Sequence, residues 1–151
     1  MERPKIAVIG LGYVGLPLAH LFATKYMVYG YDVDTTRISE LRQGIDKTLE
    51  IAAVKLKEVL IQNPDNKNGL CFTDKLEDIS SCNYYIVTVP TPVNEANKPI
   101  LTHLFKSCEA IGKVLKKGDV VIFESTVYPG ATEEECAPLI EKVSGMRLNI
   151  D

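Results

Sequence analysis

Apolar and polar positions alternate in blocks along this chain, and the blocks change period. Lys5-Ile6-Ala7-Val8-Ile9 is a short apolar run that ends at Gly10, the pattern of a strand covered on both faces. Val14, Leu18, Leu21 and Phe22 then recur at helical spacing up to Ala23, with Pro17 in the first turn, where a missing N–H costs little. Tyr26 to Tyr31 reads as a second strand ending at Asp32. Asp34 or Thr35 can cap a helix that carries Ile38 and Leu41 and stops at Gly44. Residues 48–62 predict another helix, with Leu49, Ala52, Ala53, Leu56, Val59 and Leu60 on one face. Asn63 to Gly69 is dense in breakers and reads as a loop within the fold.

The second half repeats the alternation. Leu70-Cys71-Phe72 predicts a short strand, and Asp74 with Glu77 a helix cap. Tyr84 to Val89 predicts a strand that stops at Pro90. Pro90, Pro92 and Pro99 make residues 90–99 irregular. A helix over 101–115 ends in Lys116-Lys117-Gly118. Asp119 to Phe123 is the next strand, followed by a loop from Glu124 to Gly130. Thr132 with Glu135 has the form of a capping box opening a last helix, and Arg147 to Ile150 looks like the start of a sixth strand. Regular strand–helix alternation predicts an α/β fold. It is a Rossmann-type doubly wound, mainly parallel sheet with helices on both faces.

Composition narrows the function classes. At 151 residues, 46% hydrophobic and 25% charged, the chain has enough apolar material for one core and is not disordered as a whole. Its 17 Lys and Arg against 20 Asp and Glu argue against a general binder of nucleic acid or anionic membrane. The longest apolar-rich stretch, near 6–23, is interrupted by glycines, Pro17 and His20, so neither a membrane span nor a signal peptide is expected. Cys71, Cys82, Cys108 and Cys136 show no CxxC spacing and read as reduced, mostly buried residues of a cytoplasmic protein. Cys136 follows three glutamates, which would raise a thiol pKa, so packing is its expected role. His20 and His103 stand apart from acids and cysteines, and no metal site is expected. His103 reads as a surface or capping residue, and the tyrosines at 26, 29, 31, 84 and 85 as packing residues.

One motif carries chemistry. Gly10-Leu11-Gly12-Tyr13-Val14-Gly15 is a GxGxxG placed between a predicted strand and helix. Asp32 follows about twenty residues on, at the end of the next strand. Gly10 permits the tight turn, Gly12 lets backbone approach a pyrophosphate, and Gly15 lets the helix pack close to the strands. The helix start offers free N–H groups to the anion. Asp32 can accept from ribose hydroxyls, and it would repel a 2′-phosphate, so NAD is expected over NADP. Arg37 lies near the adenosine end. Two later loops follow parallel strands and should face the same crevice. Thr88-Val89-Pro90-Thr91-Pro92 offers hydroxyls to a ribose or phosphate. Glu124-Ser125-Thr126-Val127 places polar side chains where a nicotinamide ring would lie.

These segments together, Ile6 to Ala19, Gly30-Tyr31-Asp32, Val87 to Pro92 and Glu124 to Gly130, resemble the nucleotide-sugar dehydrogenase family. This is the UDP-glucose and GDP-mannose 6-dehydrogenase group, and all four motifs occur in order. Arg37 to Gly44, and the Tyr128-Pro129-Gly130 that follows Glu-Ser-Thr-Val, look more like the UDP-N-acetylhexosamine branch, which feeds capsule or O-antigen synthesis. The resemblance implies oxidation of a UDP-sugar C6 alcohol to the uronate in two NAD-dependent steps, through a thiohemiacetal on a cysteine. It implies that Gly10, Leu11, Gly12, Tyr13, Val14 and Gly15 bind pyrophosphate and that Asp32 and Arg37 hold the adenosine ribose. Thr91, in its loop with Thr88, Val89 and Pro90, would contact the cofactor. Thr126, beside Ser125, would sit near the nicotinamide and help order a catalytic water. The family's nucleophilic cysteine, lysine and substrate-binding glutamate loop have no match here. Residues 1–151 therefore read as the NAD-binding domain, with the substrate domain outside them. NAD binding without turnover is expected of this chain, and a homo-oligomer of the parent. A stand-alone, non-catalytic nucleotide-binding module is the alternative.

Overall fold

A computed structural model describes residues 3–62 and 68–151 of the chain. Five parallel strands form its sheet: β1 (Lys5–Ile9), β2 (Met27–Tyr31), β3 (Gly69–Thr73), β4 (Tyr84–Val87) and β5 (Val120–Phe123). Their spatial order is β3-β2-β1-β4-β5, and every pairing is parallel. The sheet grows from β1 first to one side and then to the other. The chain therefore changes direction between β1 and β4, and a crevice opens at the carboxyl ends of those two strands.

Parallel strands need crossovers, and these supply the helices: α1 (Gly15–Ala23), α2 (Thr35–Arg42), α3 (Ala53–Val59), α4 (Thr102–Val114) and α5 (Ala137–Ser144). Strand periodicity sends alternate residues to opposite faces. On β1, Ile6 and Val8 join Leu16, Ala19, Ile38, Leu41 and Leu56 in one core. Ala7 and Ile9 join Leu104, Cys108, Ile111 and Ile140 in the other. The doubly wound fold is as expected.

Several local expectations fail for stated physical reasons. On α1 the buried residues are Gly15, Leu16, Ala19 and Ala23, while Val14 and Leu21 are exposed. The helix turns its small residues to the strands so that it can approach them. Residues 48–52 are not helical, and the element starts only at Ala53. Leu49 has φ 59° and lies open to solvent. The predicted cap at Asp74 is replaced by Thr73, whose hydroxyl accepts the Lys75 N–H and donates to Asp78 ahead of a 3-10 turn at Leu76–Ile79. Thr132 and Glu135 form no capping box. Residues Thr132–Cys136 make a π-turn without a side-chain cap. Arg147 to Ile150 is a turn, not a strand. The predicted breaker loop falls largely on residues 63–67, outside the described residues.

The cysteines and tyrosines pack as expected. Cys82, Cys108 and Cys136 are buried and Cys71 is half-buried. Burial raises the thiol pKa of all four, that of Cys82 to about 12. Tyr85 is wholly buried and its hydroxyl donates to the carbonyls of Ile79 and Cys82.

Candidate functional site

The glycine loop spans the carboxyl end of β1 and the start of α1. Gly10 has φ +93°, a left-handed conformation that L side chains rarely adopt. Gly15 lies under the loop: a Cβ there would stand 1.9 Å from the Gly10 carbonyl oxygen and 2.4 Å from the Thr88 hydroxyl. Gly12 is different. A Cβ on it would meet nothing within 4 Å, so the backbone there is open on its outer side. The three glycines therefore hold the places that a pyrophosphate cradle needs, two closed by protein and one left clear.

Leu11, between the first two glycines, is gripped from two directions. Its N–H donates to Asp32 Oδ2 at 2.8 Å, and its carbonyl accepts from Arg37 Nε and Nη2 at 3.1 and 3.0 Å. Asp32 is half-exposed at the end of β2, and its Oδ1 also accepts the Asp34 N–H at 3.0 Å. Each oxygen keeps a lone pair for a ribose hydroxyl. Asp34 caps α2 by accepting from the N–H groups of Thr36 and Arg37. That cap starts the helix where the Arg37 side chain can turn back under the loop.

Arg37 has a further anchor. Its Nη2 lies 2.9 Å from Asp46 Oδ1, with the two side chains 12% and 0% exposed. Asp46 also accepts from the Thr48 hydroxyl at 2.6 Å and from the N–H groups of Thr48, Glu50 and Ile51. Burial alone would push its carboxyl up. The bonds from Thr48, Ile51 and Arg37 outweigh that and hold it at about 2. The helix does not start at 48 because Asp46 closes a loop onto the amides of Thr48, Glu50 and Ile51, and within that loop Leu49 takes a φ of 59° that a right-handed helix cannot hold. Sequence reasoning missed Asp46. A single acid in a glycine-flanked loop carries no sign that it will be buried.

The other two loops meet over the end of β4. The Thr88 hydroxyl is buried and donates toward the carbonyls of Ile9 and Gly10, at 3.0 and 2.7 Å. It thus fastens the glycine turn, with its donor turned inward. Ser125 Oγ donates to the Val89 carbonyl at 2.6 Å, and Thr91 Oγ1 to the Thr126 carbonyl at 2.5 Å. Two hydroxyl bonds therefore tie the Pro-Thr-Pro loop to the Glu-Ser-Thr-Val loop. Thr126 itself is exposed, as are Tyr13, Val14 and Pro90, and Val89 is half-buried.

A cleft of about 390 Å³ runs beside the glycine loop. Gly10, Leu11, Gly12, Asp32, Arg37, Thr48, Val89 and Pro90 line it, and His103, Lys106 and Ser107 of α4 close its far wall. The sequence offered no reason to place α4 there; His103 is at the surface, as expected, and stands in this wall. Thr91, Ser125 and Thr126 lie outside this cleft's lining. No group of His, Cys, Asp and Glu among the described residues could hold a metal ion. No helix of the described residues is long and apolar enough to cross a membrane.

The residues present fit a dinucleotide. The open backbone at Gly12 admits a pyrophosphate, the half-exposed carboxylate of Asp32 suits a ribose diol, and Arg37 Nη1 is buried without a hydrogen-bond partner.

Comparisons with known proteins agree with that geometry. The family described as "UDP-glucose/GDP-mannose dehydrogenase family, NAD binding domain" matches residues 4–151. UDP-N-acetyl-D-glucosamine 6-dehydrogenase of Pseudomonas aeruginosa is 58% identical over the whole chain, which covers 34% of that protein. The solved UDP-D-ManNAc dehydrogenase of Pyrococcus horikoshii superposes with a TM-score of 0.85 at 37% identity, covering 97% of this chain and 34% of that one. A ternary complex of GDP-mannose dehydrogenase from Pseudomonas aeruginosa superposes with a TM-score of 0.86 at 26% identity, over 97% and 34%. The chain spans about a third of the length of these relatives.

Proposed function

From the premise that this chain belongs to the UDP-glucose/GDP-mannose dehydrogenase family, as its NAD-binding domain, we propose that it serves a nucleotide-sugar 6-dehydrogenase. The parent oxidises the C6 alcohol of a UDP-N-acetylhexosamine to the uronate for surface polysaccharide, as a homo-oligomer. What supports the sugar assignment is the 58% identity to a UDP-N-acetyl-D-glucosamine 6-dehydrogenase over the full chain.

The roles of the residues follow from their positions. Gly10, Leu11, Gly12, Tyr13, Val14 and Gly15 receive the pyrophosphate on the backbone at the start of α1. Asp32 accepts from the adenosine ribose, and its charge disfavours a 2′-phosphate there. Arg37 braces the loop at the same end, and its buried Nη1 is without a hydrogen-bond partner there. Thr88, Val89, Pro90 and Thr91 form one wall of the nicotinamide end, and Ser125 and Thr126 the other. NAD, when bound, supplies the hydride acceptor for each of the two oxidation steps. Thr126, exposed beside the Pro-Thr-Pro loop, orders a water on that side. The sugar-binding and nucleophilic groups are assigned to the part of the parent outside residues 1–151.

Turnover tests the reading. The full-length protein should release two NADH per UDP-N-acetylhexosamine, while residues 1–151 alone bind NAD⁺ and release none. Steady NADH production by residues 1–151 would contradict it, as would a parent that is inert toward every UDP-sugar.

A further inference from the structure

Asp46 lies outside the glycine motif and does not line the cleft, yet it is the most heavily bonded carboxylate near it. It is wholly buried as a side chain and holds five partners, one of them the guanidinium of Arg37. A buried carboxylate needs a paired cation. Arg37 is that cation, and the pair is fixed because neither side chain reaches bulk water freely.

The consequence falls on one peptide plane. Arg37 Nε and Nη2 both donate to the Leu11 carbonyl. No peptide bond among the described residues is cis. In a planar trans peptide, the carbonyl of Leu11 and the N–H of Gly12 point to opposite sides. Drawing the Leu11 carbonyl onto Arg37 therefore turns the Gly12 N–H away from Arg37, at a glycine whose backbone is uncrowded, since a Cβ there would meet nothing within 4 Å. Asp32 fixes the preceding N–H. The Asp32 bond holds the Gly10–Leu11 peptide and the Arg37 bonds hold the Leu11–Gly12 peptide, so both planes that meet at Leu11 are set before any ligand arrives.

We propose that Asp46 is a positioning residue for the cofactor's pyrophosphate: through Arg37 and the Leu11 carbonyl it aims the Gly12 N–H at the anion. The proposal rests on the NAD-site reading above and deepens it. Asp46 touches no ligand. It acts by keeping the guanidinium beneath the loop, where Arg37 would otherwise be free to swing out on its flexible stem. The low pKa of its carboxyl, about 2, keeps the pair charged over the whole working range of pH.

The test compares ADP with adenosine, which differ only in the pyrophosphate. Binding to residues 1–151 is followed by amide NMR shifts, which also report the fold. Asp46→Asn should weaken ADP about tenfold and adenosine less than twofold, with the largest shift change among free proteins at Gly12. Asp46→Ser keeps an oxygen acceptor near the loop amides but removes the charge that holds Arg37, and it should give the same signature. It decides the matter if Asp46→Asn fails to fold. Equal losses for ADP and adenosine, or no loss for either, would overturn the proposal. Failure of the unaltered chain to bind ADP or NAD⁺ would overturn the site reading and this proposal with it.

Discussion

The two ends of the crevice are built by different means. At the proposed adenosine end, the glycine loop is fixed by charge: buried Asp46 holds Arg37, Arg37 holds the Leu11 carbonyl, and Asp32 holds the Leu11 amide. At the proposed nicotinamide end, two loops are held by single hydroxyl-to-carbonyl bonds, Ser125 to Val89 and Thr91 to Thr126, beside an exposed Thr126. A charged, buried network loses several kcal/mol when broken, and a neutral hydrogen bond about one. The first end is therefore shaped in advance by this chain. The second is held lightly, by neutral bonds alone.

The sharpest way to test that contrast is within the glycine loop itself. Gly15→Val would drive a side chain into the Gly10 carbonyl and the Thr88 hydroxyl, and should cost about 3 kcal/mol or more by urea unfolding. Gly12→Ala, only three residues away, has open space and should change stability by less than about 0.5 kcal/mol. It should nonetheless reduce NAD⁺ affinity at least about tenfold, because the new methyl stands where the pyrophosphate approaches. Similar stability losses in both variants would show that the loop is packed uniformly and that Gly12 is not an opening.

Asp46 makes the next largest contribution. Its folded-state pKa of about 2 lies below the unfolded value of roughly 3.9. Its stabilisation is therefore fully present above pH ~4 and is lost as pH falls toward about 2. The shift corresponds to roughly 2–3 kcal/mol. Urea unfolding at pH 6 and at pH 2.5 should show Asp46→Asn far below the unaltered chain at the higher pH and much closer to it at the lower. A constant gap would mean that the carboxylate's charge does not carry the effect.

The lightly held end gives the smallest change. Ser125→Ala and Thr91→Val should each cost about 1 kcal/mol or less. Both should weaken NAD⁺ while leaving ADP unaffected, since ADP does not reach that end. Loss of ADP binding in either would show that the two ends are coupled.

Much of this was legible in the residues. The run from Lys5 to Asp32 announces itself because each local rule agrees: an apolar strand, glycines at the turn, a helix, a second strand and an acid at its end. The Asp34 cap and the stop at Gly44 follow from turn chemistry of the same local kind. What escaped depends on contacts distant in sequence or on size rather than hydropathy. Helical periodicity over 48–62 holds only from Ala53, because the loop that Asp46 closes puts Leu49 at a left-handed φ of 59°. On α1, Gly15 and Ala19 are buried because they are small, whereas a hydropathy pattern favours Leu21 and Val14. Thr132 and Glu135 have the right spacing for a box, yet the helical turn already begins upstream, where the Gly130 carbonyl accepts the Glu134 amide, and it widens where the Thr132 carbonyl accepts the Ala137 amide. The far wall of the cleft, Lys106 and His103 on α4, came from tertiary packing alone.

The most direct test of the account is calorimetric titration of residues 1–151 with NAD⁺ and NADP⁺, alongside Asp32→Ala. The account predicts NAD⁺ binding, NADP⁺ weaker by about tenfold or more, and an Asp32→Ala variant that loses most NAD⁺ affinity and the preference together. An Asp32→Ala variant that binds NAD⁺ normally and still rejects NADP⁺ would contradict it.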